Sequence, residues 1–386
     1  MKDIEKKKKR VLFVYGKLVG GGAEKVLIDI LRNIDYNRYE VDLALVERGG
    51  ILESDVPKEV NIIELWEKHS PHYFLGVKFS LHLHWNVLMW QRMNSKRLRK
   101  SYDAEIAFLE GLPSKLLAMR KSPSPKISWI HVDISSEHRS KNFFYSGSEE
   151  ERAYSGMDKI VCVSNDCREG FLRVFPSLAG KTNVIYNPID TQNILAKAQE
   201  TINEPDGTFS KNRTNVIVVG RLTGQKNPYR VIEAATLAKE KKLPIKFHWL
   251  GEGELLEGLL KERETRKLEE YIEFHGFKKN PYPYIANADI LLLPSDAEGF
   301  GLVLCEAMTL GIPVVSTPTA GPKEIIGNNE YGVLADFSAS DIIEKIQKLV
   351  EDENLRKRLI EAGTKRAEDF SVASALKNLD LLVGGN

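Results

Sequence analysis

Pro294-Ser295-Asp296-Ala297-Glu298-Gly299-Phe300-Gly301-Leu302-Val303-Leu304-Cys305-Glu306-Ala307-Met308 reads as the end of a strand, a tight turn and the opening of a helix. The four residues before it, 290–293, form the short apolar run of a buried strand. Gly299 and Gly301 let the backbone approach a ligand, and the pattern predicts a helix from about Leu302. The N–H groups of that first turn have no partner within the helix and suit a phosphate. Glu298 stands in the loop and Glu306 just over one turn into the helix, so both can face one cleft at different depths. Carboxylates accept hydrogen bonds from sugar and ribose hydroxyls in bidentate fashion. The plainer reading makes Glu298 a carboxylate stabilised by the helix dipole and Glu306 a solvated helical residue. Two glutamates near a helix start are commonplace, so the surroundings must decide.

Outward from this stretch, short apolar runs followed by helical patterns recur along the chain, as expected of parallel strands joined by crossover helices. In the first half the runs are 11–15, 41–46, 61–65, 104–108, 127–130, 159–163 and 183–186. A polar stretch at 201–213, containing Pro205 and Gly207, offers little to a core. The boundary is placed near Asn187, and a second series follows at 216–219, 246–250, 271–274, 290–293, 313–316 and 333–335. The expected fold class is α/β, with two doubly wound, Rossmann-like sheets in tandem. Ligands of such sheets bind beyond the carboxyl ends of the strands. Two of them facing each other would make a deep cleft.

Three further strand ends carry chemistry. Val218-Val219-Gly220-Arg221-Leu222-Thr223-Gly224-Gln225-Lys226-Asn227-Pro228 is a strand end and a loop that starts a helix at Pro228. Arg221, with a planar fork of donors, and Lys226, a point charge, are placed to neutralise a diphosphate. The spacing excludes a Walker A loop. Gly20-Gly21-Gly22-Ala23-Glu24 follows the first strand and permits close backbone approach, though no Gly-x-Gly-x-x-Gly frame fits. In Ser128-Trp129-Ile130-His131-Val132-Asp133, His131 follows a strand. An isolated histidine is more often structural than catalytic, and its strand-end position is what favours function.

Together these segments resemble the retaining glycosyltransferases of family 4, the group 1 glycosyltransferases of bacterial surface-polysaccharide type. The resemblance rests on Glu-Gly-Phe-Gly with Glu-Ala-Met in the Glu-x7-Glu pattern, on Gly-Arg-Leu with Lys-Asn, and on the N-terminal glycine loop. It spans residues 11 to about 381. It implies the GT-B architecture, with an N-terminal acceptor domain of 1–187 plus a C-terminal helix of about 371–386, and a donor domain of 188–370. It also implies a divided site. Arg221 and Lys226 would hold the diphosphate, Glu306 the ribose, Glu298 the transferred sugar, and the backbone of Phe277 the base edge. Gly21, Gly22, Gly220, Gly251, Gly299, Phe300, Gly301 and Leu302 would line the donor pocket, and His131 would touch the sugar near its anomeric carbon or 6-hydroxyl. The stretch Ser316-Thr317-Pro318-Thr319-Ala320-Gly321-Pro322-Lys323-Glu324 departs from the acidic or polar motif that many relatives use in donor choice. The implied reaction is transfer of a hexose or N-acetylhexosamine, with retention, from a nucleotide diphosphate sugar, UDP-linked by expectation, to a glycan or lipid-linked acceptor. No cofactor or metal is implied, and no Asp-x-Asp is placed after a strand to bind one.

Composition sets the outer limits. A chain of 386 residues accommodates two domains of roughly 200 each. Hydrophobic residues at 42% and charged residues at 28% describe a soluble globular protein. A formal net charge of +1 argues against a dedicated nucleic-acid binder. Cys162, Cys167 and Cys305 form neither a CxxC pair nor a His/Cys array, so a disulfide framework or structural zinc site is not expected, and a reducing cytosol is. No secretory signal follows the charged start. Residues 74–100 combine Trp85, Trp90 and other apolar side chains with Arg92, Lys96, Arg97, Arg99 and Lys100. Such a segment can rest on an anionic leaflet, at up to about 1 kcal/mol per cation, or be an ordinary helix with a solvated basic end. The family resemblance, whose members often use lipid-linked acceptors, favours peripheral attachment to the inner face of the cell membrane, aided by residues 6–10. Two other classes fit less well. A sugar-nucleotide epimerase would need acid/base residues around the sugar that cannot be assigned, and a non-catalytic binding subunit would have little reason to keep every donor-site position.

Overall fold

The structure, a computed structural model, describes residues 8–66, 97–136, 138–202 and 209–384. The chain divides into two compact units, Met1–Pro188 with Val372–Asn386, and Ile189–Ser371.

The first unit is built on β1 (Lys9–Tyr15), β2 (Tyr39–Leu45), β3 (Asn61–Glu64), β4 (Ala104–Ala107), β5 (Lys126–Ile130), β6 (Lys159–Cys162) and β7 (Thr182–Val184). All pair in parallel, in the order β3-β2-β1-β4-β5-β6-β7. Val11 to Val14 are buried, as residues of a central strand covered on both faces must be. The closing helix Val372–Gly384 returns to this unit. Its Val372, Ala375, Leu379 and Val383 form one buried stripe, and the helix packs against Gly22–Asn33. Asp380 accepts from Arg38 at 2.8 Å and from the Tyr39 hydroxyl at 2.5 Å, pinning the helix beside β2.

The second unit repeats the plan with β8 (Thr214–Val219), β9 (Ile245–Leu250), β10 (Ile272–Phe274), β11 (Ile290–Leu293), β12 (Val314–Ser316) and β13 (Val333–Leu334), in the order β10-β9-β8-β11-β12-β13. Phe247, Trp249, Ile272 and Leu292 point into one core with Ile342, Ile343 and Ile346 of the helix Ala339–Glu351. Full burial of each such side chain stabilises by about 1.5–3 kcal/mol.

Every apolar run singled out in the sequence is a strand, and both sheets are doubly wound. In each, the strand order reverses once, between β1 and β4 and between β8 and β11. Helices leave in opposite directions from such a switch point and open a crevice at the carboxyl ends of those strands. The loops after β1 and β4, and after β8 and β11, are therefore where chemistry belongs.

Candidate active site

The switch point of the second sheet is the more elaborate. After β8 the chain runs through Gly220 to Asn227, whose φ of 45° is left-handed, a conformation asparagine tolerates better than most residues. Asn227 caps the helix Pro228–Glu240 by accepting from Arg230 N at 3.1 Å, and Pro228 needs no partner in the first turn. After β11, Gly301 adopts φ of 94° and starts the helix Leu302–Thr309, the start anticipated from the sequence. A side chain at 301 would be strained, which explains the glycine.

These two loops are laced together. Asp296 accepts from Arg230 Nη2 at 2.7 Å and from Asn227 Nδ2 at 2.9 Å. Asp296 N donates to the Gln225 carbonyl at 2.9 Å, and Gln225 Nε2 donates to the Ala297 carbonyl at 3.0 Å. Arg230 Nη1 also donates to the Pro294 carbonyl. On this lattice sit the two predicted residues that meet directly: Lys226 Nζ is bonded to Glu298 Oε1. The same oxygen accepts from Ser295 Oγ at 2.9 Å, so the carboxylate is oriented from both sides. Arg221 is exposed, and its guanidinium is engaged by no side chain among the described residues. Glu306 is 4% exposed, which excludes the reading of a solvated helical residue.

Other predicted positions fall nearby with different roles. The Phe300 side chain is buried edge-on against Phe370, with centroids 5.2 Å apart, so only its backbone faces the loop. Gly251 is stapled to the neighbouring loops: Gly220 N donates to the Leu250 carbonyl at 2.9 Å and Gly251 N to the Gly276 carbonyl at 2.8 Å. Phe277, 45% exposed, has its N–H turned to Glu252 Oε1 at 3.3 Å. Gly299 and Leu302 lie on the turn itself, the former buried and the latter partly so.

In the first unit the glycine loop leads into the helix Gly22–Asn33, with Gly21 at the cap. The Glu24 carboxylate folds back onto Gly21 N, so this backbone donor already has an acidic partner. His131, at the end of β5, is 8% exposed, and its ring lies 5.0 Å from that of Phe108. Neither ring nitrogen finds a well-formed hydrogen bond. Burial pushes its pKa down to about 3, opposed only weakly by the Phe108 carbonyl, so the imidazole is neutral. Buried polar atoms without partners are rare, and here they mark a position suited to a hydroxyl-bearing ligand.

Sequence reasoning missed several contributors. Glu110, after β4 at the switch point, accepts from His131 N at 2.9 Å and fixes the histidine's backbone. Ser295 was in the quoted stretch but had no signal beyond its neighbours. Thr223 and Thr319 each bury a hydroxyl with no partner, one in the loop after β8 and one after β12. Of the basic segment, residues 74–96 lie outside the described residues, including Trp85, Trp90, Arg92 and Lys96. Arg97 donates to the Glu64 carbonyl at 2.5 Å, and Lys100 is held by Glu40 at 2.9 Å and Asp42 at 3.1 Å. Among the described residues no helix is long and apolar enough to cross a membrane.

Two doubly wound units, with cations, carboxylates and a glycine-capped helix start at a switch point, define a protein of the two-domain α/β class. The family model described as Glycosyl transferases group 1 matches residues 199–366, and that described as Glycosyltransferase Family 4 matches residues 20–193. The chain belongs to the group 1 glycosyltransferases. It is 28% identical over 392 residues, 97% of this chain and 99% of the relative, to the N-acetylgalactosamine-N,N'-diacetylbacillosaminyl-diphospho-undecaprenol 4-alpha-N-acetylgalactosaminyltransferase of Campylobacter jejuni. In fold it resembles HepE of Anabaena, solved with UDP-glucose, at a TM-score of 0.76 and 21% identity, covering 98% of this chain and 100% of that one. It resembles WaaG, a glycosyltransferase involved in lipopolysaccharide biosynthesis, at a TM-score of 0.71 and 18% identity, covering 97% and 100%. The architecture is that of the GT-B glycosyltransferases.

Proposed function

We propose that the protein transfers a hexose or N-acetylhexosamine, with retention, from a UDP-sugar to a lipid-linked or glycan acceptor in the synthesis of a bacterial surface polysaccharide. The observation that carries this reading is the Lys226–Glu298 contact at the second switch point, which sets the cation we assign to the diphosphate beside the carboxylate we assign to the sugar. The Campylobacter relative, by its name, acts on a diphospho-undecaprenol-linked saccharide, and HepE was solved with UDP-glucose.

In this reading the bond between the anomeric carbon and the β-phosphate oxygen breaks as the acceptor oxygen attacks from the same face. The acceptor proton passes to the departing phosphate oxygen, so no protein nucleophile is needed. Arg221, Lys226 and the helix N-terminus at Leu302 stabilise the charge growing on the leaving group, each positioned donor contributing roughly 2.7–4 kcal/mol. Glu298 holds the sugar, Glu306 the ribose, and neutral His131 a sugar hydroxyl. These steps require neither a metal nor another cofactor. Attachment to an anionic membrane surface through residues 74–100 would bring a lipid-linked acceptor to the site on the cytoplasmic side.

The test is transfer from a panel of radiolabelled nucleotide sugars to a polyprenyl-diphosphate saccharide, with the anomeric configuration of the product read by NMR. Labelled lipid with the donor's anomeric configuration is expected. Inverted product would overturn retention. Conversion of the donor to another sugar nucleotide without acceptor would establish an epimerase instead.

A further inference from the structure

On the outer edge of the second sheet, opposite the face that carries Phe247 and Trp249, the strand register sets His248 of β9 directly beside Glu273 of β10. His275 comes directly after β10, two residues on from Glu273, and strand alternation returns it to the same face. One ligand atom from each of the three lies within 4.8 Å of the others. We propose that His248, Glu273 and His275 bind a first-row transition-metal dication of the Zn²⁺ type, tying β9 to β10 beneath the loop that carries Gly276 and Phe277.

The tautomer supports this. Asn215 Nδ2 donates to the carbonyls of Ser210 at 3.1 Å and Arg213 at 3.2 Å and to Asp289 Oδ2 at 3.1 Å. That fixes the amide so that Oδ1 faces His248 Nε2, at 3.2 Å. An oxygen can only accept, so Nε2 carries the proton and Nδ1 presents its lone pair towards His275 Nε2, 3.1 Å away. A ring nitrogen held as a donor by a second-shell oxygen is the usual arrangement of a metal-binding histidine. Two nitrogens on a tetrahedral Zn²⁺, at about 2.0 Å each, stand roughly 3.3 Å apart. His248 is fully buried. Phe209 stacks on it at 4.6 Å and shields it from water. Glu273 and His275 are only partly buried and leave an approach from solvent. Lys246 Nζ holds Glu273 Oε2 at 2.5 Å, and the second carboxylate oxygen remains for an ion. Two imidazoles and a carboxylate are a donor set that zinc favours over magnesium or calcium. The inference is independent of the sugar-transfer reading.

The experiment is equilibrium dialysis of the chelator-treated full-length chain against Zn²⁺, followed by Co²⁺ substitution. One ion per chain at micromolar or lower concentration, with tetrahedral cobalt absorption, is expected. Glu273→Gln and His275→Gln should each weaken binding at least about tenfold. Lys246→Met removes a competing positive charge and should tighten it, an outcome that a mere inter-imidazole hydrogen bond would not give. These three positions are only partly buried, so the substitutions should keep the fold, which circular dichroism checks, whereas buried His248 is left intact. The proposal is overturned by absence of binding in the micromolar range, by wild-type affinity in His275→Gln, or by a cobalt–thiolate charge-transfer band that places the ion on the cysteines.

Discussion

Lys226 and Glu298, 72 positions apart in the chain, meet side chain to side chain where the loops after β8 and β11 come together. The ammonium is thus held in place before any donor arrives, with Glu298 oriented a second time by Ser295. Under the proposed function, a diphosphate bound here would compete with Glu298 for Lys226, and the freed carboxylate would turn to the sugar. Lys226→Ala and Arg221→Ala are therefore expected to lower kcat/KM on the order of 100- to 1000-fold, as loss of one positioned donor does elsewhere. The double variant Lys226→Ala/Glu298→Gln should lose less than the product of the single losses, because the residues act through one contact. Steady-state kinetics on the wild-type chain, the three single variants Lys226→Ala, Arg221→Ala and Glu298→Gln, and the double variant measures this. Near-normal turnover in both single cation variants would move the site elsewhere.

Glu306 lies buried in the helix that starts at Gly301, whereas Glu298 stands in the loop before it. That separation predicts different defects. Glu306→Ala should weaken binding of free UDP, measured by calorimetry, by about tenfold or more, since a charge-assisted bond to a hydroxyl contributes about 1.5–3 kcal/mol. Glu298→Gln should leave UDP affinity within about twofold and lower turnover instead. Equal losses of UDP affinity would contradict the assignment of ribose to one and sugar to the other.

The sequence made the strands legible because a parallel strand covered on both faces is a continuous apolar run, as Ile290 to Leu293 is. The helix starts at Pro228 and Leu302 were legible because Asn227 and Gly301 take left-handed turns that few other residues accept. What remained hidden depends on register and long-range approach. No spacing rule brings Glu110 to His131 N, or sets His248 of one strand against Glu273 of another. Phe300 looked like a site residue from its motif, yet its ring is packing against Phe370, a partner 70 residues away that no local pattern reveals.

His131 gives a pH prediction. Its pKa is about 3 in the folded chain, against about 6.5 in the unfolded one, so below pH 6.5 the unfolded state binds a proton that the folded state refuses. Stability of the first unit should therefore fall as pH drops below about 6.5, by up to about 1.4 kcal/mol per pH unit from this residue, and the loss should continue towards pH 3. His131→Gln removes that component. Urea unfolding between pH 7.5 and 5 should show a flatter dependence in the variant by nearly one proton. Above pH 5 the activity of the wild-type chain should show no step from this histidine.

Gly321 links stability to the site. A Cβ there would stand 2.2 Å from Phe300 Cα and from the Phe300 carbonyl oxygen, and backbone atoms cannot step aside as a flexible side chain does. The helix Ala320–Ile326 is pressed against the Glu298–Phe300 loop at this point, and Gly321 N donates to the Glu298 carbonyl at 3.3 Å. Gly321→Ala must push the two apart. A loss of about 1–3 kcal/mol is expected, as for other overpacked positions, seen as a fall of several degrees in Tm. Turnover should fall further than stability explains, because the displaced loop carries the carboxylate that Lys226 holds. Gly147→Ala is the control, since a Cβ at 147 meets nothing within 4 Å, and it should be neutral or slightly stabilising. Wild-type turnover in a folded Gly321→Ala chain would show that the loop's position is not what sets the reactivity of Glu298.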